Sequence, residues 1–85
     1  ELKRYDDAIE VLQRAVTIAP NNSRLRLQLA SAFMAKGNQR GALLALERAA
    51  RLEPRNAAIQ LQMGKLLRQQ NNLPRALAAY RRAVQ

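Results

Sequence analysis

The sequence predicts an all-α chain of antiparallel helix pairs, stacked as a solenoid with a 34-residue period over its 85 residues. Three observations predict it. A shift of 34 residues brings like residues into register. Within each unit, apolar residues fall at helical spacing. Asn, Gly and Pro recur where helices have to start and stop.

The register is dense. Ala8, Ala42 and Ala76 align, as do Ile9, Leu43 and Leu77. Leu12, Leu46 and Tyr80 follow, then Arg14, Arg48 and Arg82, and Ala15, Ala49 and Ala83. Pro20 meets Pro54, and Asn22 meets Asn56. Leu25, Leu27, Gln28, Leu29, Ala30 and Phe33 meet Ile59, Leu61, Gln62, Met63, Gly64 and Leu67.

Each element then has its own justification. The first helix is expected at 5–18, with apolar residues at 8, 9, 12, 15 and 16. Its acids Asp6, Asp7 and Glu10 suit a first turn, where negative charge favours the helix dipole. Pro20 closes it, since proline cannot donate the next backbone bond. The second helix, 23–36, has Asn22 as N-cap and Leu25, Leu29 and Phe33 as its stripe. Gly37 suits the left-handed residue that ends it. The third, 39–52, repeats the first at 42, 43, 46, 49 and 50, and Pro54 stops it. The fourth, 57–70, has Asn56 as cap, Ile59, Met63 and Leu67 as stripe, and Asn71 at the left-handed position. The fifth, 73–84, carries Ala76, Leu77, Tyr80 and Val84 with no following helix to cover them. Glu10–Arg14 and Glu47–Arg51 are spaced for i, i+4 surface pairs.

Five helices make an odd number. Residues 1–22 read as the second helix of a truncated first unit, 23–56 as a complete unit and 57–85 as a nearly complete one, in one continuous domain. The chain opens on Glu1 rather than Met, so a fragment of a longer array is expected, or a piece that pairs through its ends.

These landmarks resemble the tetratricopeptide repeat, W-x2-L-G-x2-Y…A-x3-F…P. The middle unit supplies Arg26-x2-Leu29-Ala30-x2-Phe33, Ala42-x3-Leu46 and Pro54. The third supplies Gln60-x2-Met63-Gly64-x2-Leu67 and Ala76-x3-Tyr80, and the first half-unit Ala8-x3-Leu12 and Pro20. The resemblance covers essentially the whole chain and implies a right-handed superhelix. Arg26 and Gln60 stand where the signature has Trp, and Leu25 and Ile59 are expected to supply that packing. Pentatricopeptide repeats, which read RNA one base per repeat, fit less well in period and in the Ala-x3-aromatic landmark.

Composition excludes several classes. There is no Cys and no His, which removes disulfides, thiolate metal sites and the usual general base. Thr17, Ser23 and Ser31 have nothing to activate them, and three scattered glycines make no phosphate loop. No enzyme activity and no cofactor is expected. No apolar run approaches the roughly 20 residues of a membrane span, and localisation stays open between cytoplasm and bacterial periplasm. Charge is uneven: residues 1–22 carry net −1, residues 23–56 net +5, and residues 57–85 net +5 with no acid.

The resemblance also implies a binding face, since the first helices of the family's units line its concave groove. The second, fifth, ninth and twelfth positions are Arg24, Leu27, Ser31 and Met34 in the middle unit, and Ala58, Leu61, Lys65 and Arg68 in the third. Leu27 and Leu61 lie about 200° around the helix from their buried neighbours. They are apolar anchors for a partner or packing for the adjacent repeat, and the sequence leaves the two open. The partner expected is a protein or peptide with apolar anchors and acidic flanks. A chaperone-tail carboxylate clamp is not expected, because Gln28 and Gln62 stand where basic residues are needed. Two other uses remain: a basic surface for nucleic acid or another anionic polymer, and a spacer within a longer array. Nucleic acid is the weaker of these, because Tyr5, Phe33 and Tyr80 occupy packing positions rather than a stacking platform.

Overall fold

The computed structural model describes residues 2–85; Glu1, on which the sequence opens, lies outside the described residues. The helices are α1 (Leu2–Ile18), α2 (Ser23–Lys36), α3 (Gln39–Leu52), α4 (Ala57–Gln69) and α5 (Leu73–Ala83). No described residue is in a strand, so the all-α repeat fold stands. α2 and α3 have the expected bounds, and α4 and α5 each end one residue early.

Local chemistry sets the ends. Asn22 and Asn56 cap α2 and α4, their side-chain oxygens accepting from the Leu25 and Ala58 N–H groups at 3.2 and 3.0 Å. Asn38 and Asn72 do the same for α3 and α5, accepting from Gly41 and Arg75 at 2.9 and 3.5 Å. This second pair also repeats at 34 residues. Gly37 (φ 90°) and Asn71 (φ 61°) take the left-handed conformation that turns the chain after α2 and α4.

The start of α1 differs from expectation. It begins at Leu2 rather than residue 5, so its first turn holds no acid. Asp6, Asp7 and Glu10 sit in the helix body, where the dipole term has faded. Asp6 instead forms an ion pair with Lys36 at the end of α2, tying the two helices together.

Helices pack in chain order, most extensively α2 on α3 and α4 on α5, with α1 on α2 and α3 on α4 as links. The stack is a slab of 34 × 26 × 14 Å, two helix layers thick. Close approach is possible because the seams carry small residues. Ala30, Ala42, Ala49 and Ala79 have no exposed surface, and Ala76 and Gly64 are also buried. Around them Leu46, Ile59, Leu66 and Leu67 are fully buried, each stabilising by about 1.5–3 kcal/mol. Two aromatic rings lie flat on glycines. A Cβ at Gly41 would stand 2.8 Å from the Phe33 ring, and one at Gly64 would stand 2.9 Å from the Tyr80 ring.

The two positions where the signature has Trp are solved differently. Arg26 turns its guanidinium back onto the Pro20 carbonyl, donating from Nε and Nη2 at 3.1 and 2.9 Å. Gln60 is buried, and its Oε1 accepts from Arg82 Nε at 3.0 Å. Ile59 is fully buried beside it, as expected, whereas Leu25 is only half-buried.

Gly64→Ala tests the ring seat. Alanine gains about 1 kcal/mol in helix propensity. The displaced ring is expected to cost more, for a net loss of about 1–2 kcal/mol in urea denaturation. Shortening the ring in Gly64→Ala/Tyr80→Leu should recover part of that loss.

Candidate partner-binding site

The groove residues fall on two helices joined through α3. At 100° per residue, Ala58, Leu61, Lys65 and Arg68 occupy an arc of about 80° on α4, and Arg24, Leu27, Ser31 and Met34 the same arc on α2. On α4 all four are exposed, with Leu61 at 41%. It is an open strip with an apolar centre and two cations, neither in an ion pair with a described residue.

α2 is different. Arg24 and Ser31 are exposed, but Leu27 and Met34 are half-buried against the core. Packing therefore already uses much of Leu27. Of the expected anchors, Leu61 alone is exposed. The polar acceptor nearest this strip in sequence, Gln62 Oε1, is buried without a hydrogen-bond partner among the described residues.

The second helices carry the rest of the electrostatics. Glu10 and Arg14 pair at 3.0 Å as expected. Glu47 does not pair with Arg51. It reaches across to α5 and accepts from Arg75 Nη2 at 2.8 Å. An i, i+4 partner on the same helix loses to a cation that the α3–α5 arrangement brings alongside. Glu53 joins three elements: it accepts from Ser23 at the start of α2 and from Asn56 Nδ2 at 2.8 Å, while sitting at the end of α3. These hydrogen bonds, Ser23 first and Asn56 second, hold its carboxyl below the ordinary carboxylate value.

Three clefts stand out, and none is lined by the groove residues. One of about 210 Å³ lies over Phe33 and Gly41, between Gln13 and Arg48. Two others share Pro54 and Arg82; the larger, about 440 Å³, spans α3 and α5 over Gln60 and Met63. The described residues hold no group of His, Cys, Asp and Glu arranged for a metal, and no helix long and apolar enough to cross a membrane.

Two family models, both described as tetratricopeptide repeat, match residues 1–42 and residues 27–85. The chain belongs to the tetratricopeptide repeat family. A solved structure described as "MamA RS-1 ArsTM double mutant" superposes with a TM-score of 0.92 at 21% identity, covering 96% of this chain and 46% of that one. At that identity the likeness shows the fold alone, and the chain spans about half the length of that relative. No curated protein matches the sequence. Membership of this family makes the chain, in general terms, a protein-interaction scaffold of a typically non-enzymatic kind.

The Glu53 hub gives a pH prediction. Its folded-state pKa lies below the unfolded one, so its contribution is complete at neutral pH and is lost as pH falls through the folded value. Carboxyl-detected NMR titration should place the Glu53 midpoint below that of the same residue in Ser23→Ala. An unchanged midpoint in the variant would remove the Ser23 hydrogen bond as the cause.

Proposed function

We propose that the chain holds a partner peptide or helix against the first-helix face, with Leu61 as the apolar anchor and Lys65 and Arg68 orienting acidic flanks. The observation that carries this reading is the exposed α4 strip, a partly exposed leucine bordered by two cations that form no ion pair with a described residue. Arg24 and Ser31 extend the same face onto α2, with Leu27 and Met34 as its floor. The repeat units in this reading are residues 1–22, 23–56 and 57–85.

The ends of the stack support neighbours of one type. By register α1, α3 and α5 are all second helices. Residues of α1 that match the buried Ala42 and Ala45 of α3 are Ala8 and Val11, both exposed, Val11 at 66%. At the other end Leu73 and Leu77 are 56% and 51% exposed. Each end therefore fits a helix patterned like α2 or α4. Two copies joined end to end would set second helix on second helix and break the alternation, so adjacent repeats suit these ends better than self-pairing.

The uncovered strip also fixes the choice of variants. Leu27→Glu would place a charge against the core, so its effect on binding would be confounded with unfolding. Leu61→Glu and the Lys65→Glu/Arg68→Glu pair change exposed residues only. A display library of peptides selected on the chain should yield sequences with apolar residues flanked by acids. Each exposed-site variant should weaken their binding by about ten-fold or more with helicity unchanged. Selected peptides that lack acids, or that bind the Leu61→Glu chain as well as the wild type, would contradict the proposal.

A further inference from the structure

The most concentrated charge lies away from that strip. Gln60 and Met63, which line the larger cleft, project about 150° around α4 from the Leu61–Lys65 side. The two clefts sharing Pro54 and Arg82 are bordered by Arg51, Arg55, Arg75 and Arg82 against a single acidic side chain, Glu47. Glu47 is spent on Arg75. Arg51, Arg55 and Arg82 have no carboxylate partner among the described residues. Cations gathered in a concave site without counter-charge repel one another, and the field they focus attracts an anion.

One of them is held in place. Gln60 is only 4% exposed, and its Oε1 takes the Nε proton of Arg82 at 3.0 Å. The terminal nitrogens of Arg82 make no hydrogen bond to a described residue. The fork is thus fixed at its base with its outer N–H groups free. One period earlier the geometry is closed: Arg26 folds its guanidinium onto the Pro20 carbonyl. Gln60 is shorter and turned toward Arg82, and the space beside Pro54 stays open at about 440 Å³. That volume lies within the range of ordinary ligand sites, about 300–1,000 Å³.

We propose that this cleft between α3 and α5 is a second binding site, and that it takes a carboxylate-bearing segment of a partner protein. The guanidinium fork matches a carboxylate with two parallel hydrogen bonds. Ala50, Met63 and Pro54 supply apolar wall between the arginines, which suits a peptide with both acidic and apolar side chains. No aromatic residue lines either cleft, so there is no platform on which nucleobases could stack. Gln60 acts here as a positioning residue, through Arg82.

The test is fluorescence anisotropy of a labelled Glu/Asp-rich peptide with interspersed Leu, titrated with the 85-residue chain at low salt. Arg51→Gln/Arg82→Gln, whose sites are exposed, should weaken binding by about ten-fold or more with an unchanged circular dichroism spectrum. Lys3→Gln/Arg40→Gln, which removes two exposed cations outside both clefts and outside the first-helix face, should leave it within about two-fold, which separates this site from general charge attraction. A single-stranded oligonucleotide of equal charge should compete poorly. The proposal is overturned if the peptide fails to bind the wild-type chain, if both double variants weaken it equally, or if the oligonucleotide competes as well as unlabelled peptide.

Discussion

Close contact between helices at small residues is the constraint on which this stack depends. Phe33 lies on Gly41 and Tyr80 on Gly64, and an added methyl at either glycine would stand within 3.0 Å of a ring. Ala30, Ala42, Ala49 and Ala79 have no exposed surface. Where side chains are this short, backbones approach closely enough for Leu46, Ile59, Leu66 and Leu67 to be sealed from water. Larger residues in the seams would separate the layers and open that apolar set to solvent. The aromatic rings alternate between helix types, one on α2 and one on α5, so each helix pair has one ring on one glycine.

Most of the fold was legible because it is local and repeated. Spacing together with caps and stops located α2 and α3, and Asn22, Asn56, Gly37 and Asn71 took the roles their chemistry suggests. What was not legible depends on which helix faces which. Glu47 reads as a partner of Arg51 until α5 brings Arg75 within 2.8 Å. The acids of α1 read as a first turn because nothing in their spacing shows that Leu2 already belongs to the helix. Leu27 and Leu61 share a register position, yet one is half-buried and the other exposed, because α2 has core on that side and α4 does not. The candidate groove was therefore legible as a pattern of positions, but its division into floor and free surface was not. The cleft over Gln60 was missed altogether. Its one signal was a polar residue, aligned with Arg26, at a landmark position that the family fills with Trp.

The charge distribution acquires meaning from this architecture. Residues 57–85 contain no acid, and α4 and α5 send their cations to two sides of a thin slab. Lys65 and Arg68 stand on the first-helix side beside Leu61. Arg75 and Arg82 stand over the α3–α5 cleft. A two-layer solenoid has two broad faces, and here both carry cations next to apolar surface.

If small-residue seams hold the stack, stability should follow them along the chain. Among the residues whose burial is described, α1 contributes one buried residue, Ile9, whereas α3 and α4 contribute four and six. Native-state hydrogen exchange reads this directly, because local opening free energies report how strongly each helix is tied to its neighbours. The account predicts slowest exchange in α3 and α4, intermediate exchange in α2 and α5, and fastest exchange in α1. Protection in α1 equal to that in α4 would contradict it, since α1 lacks the seam to which that protection is attributed.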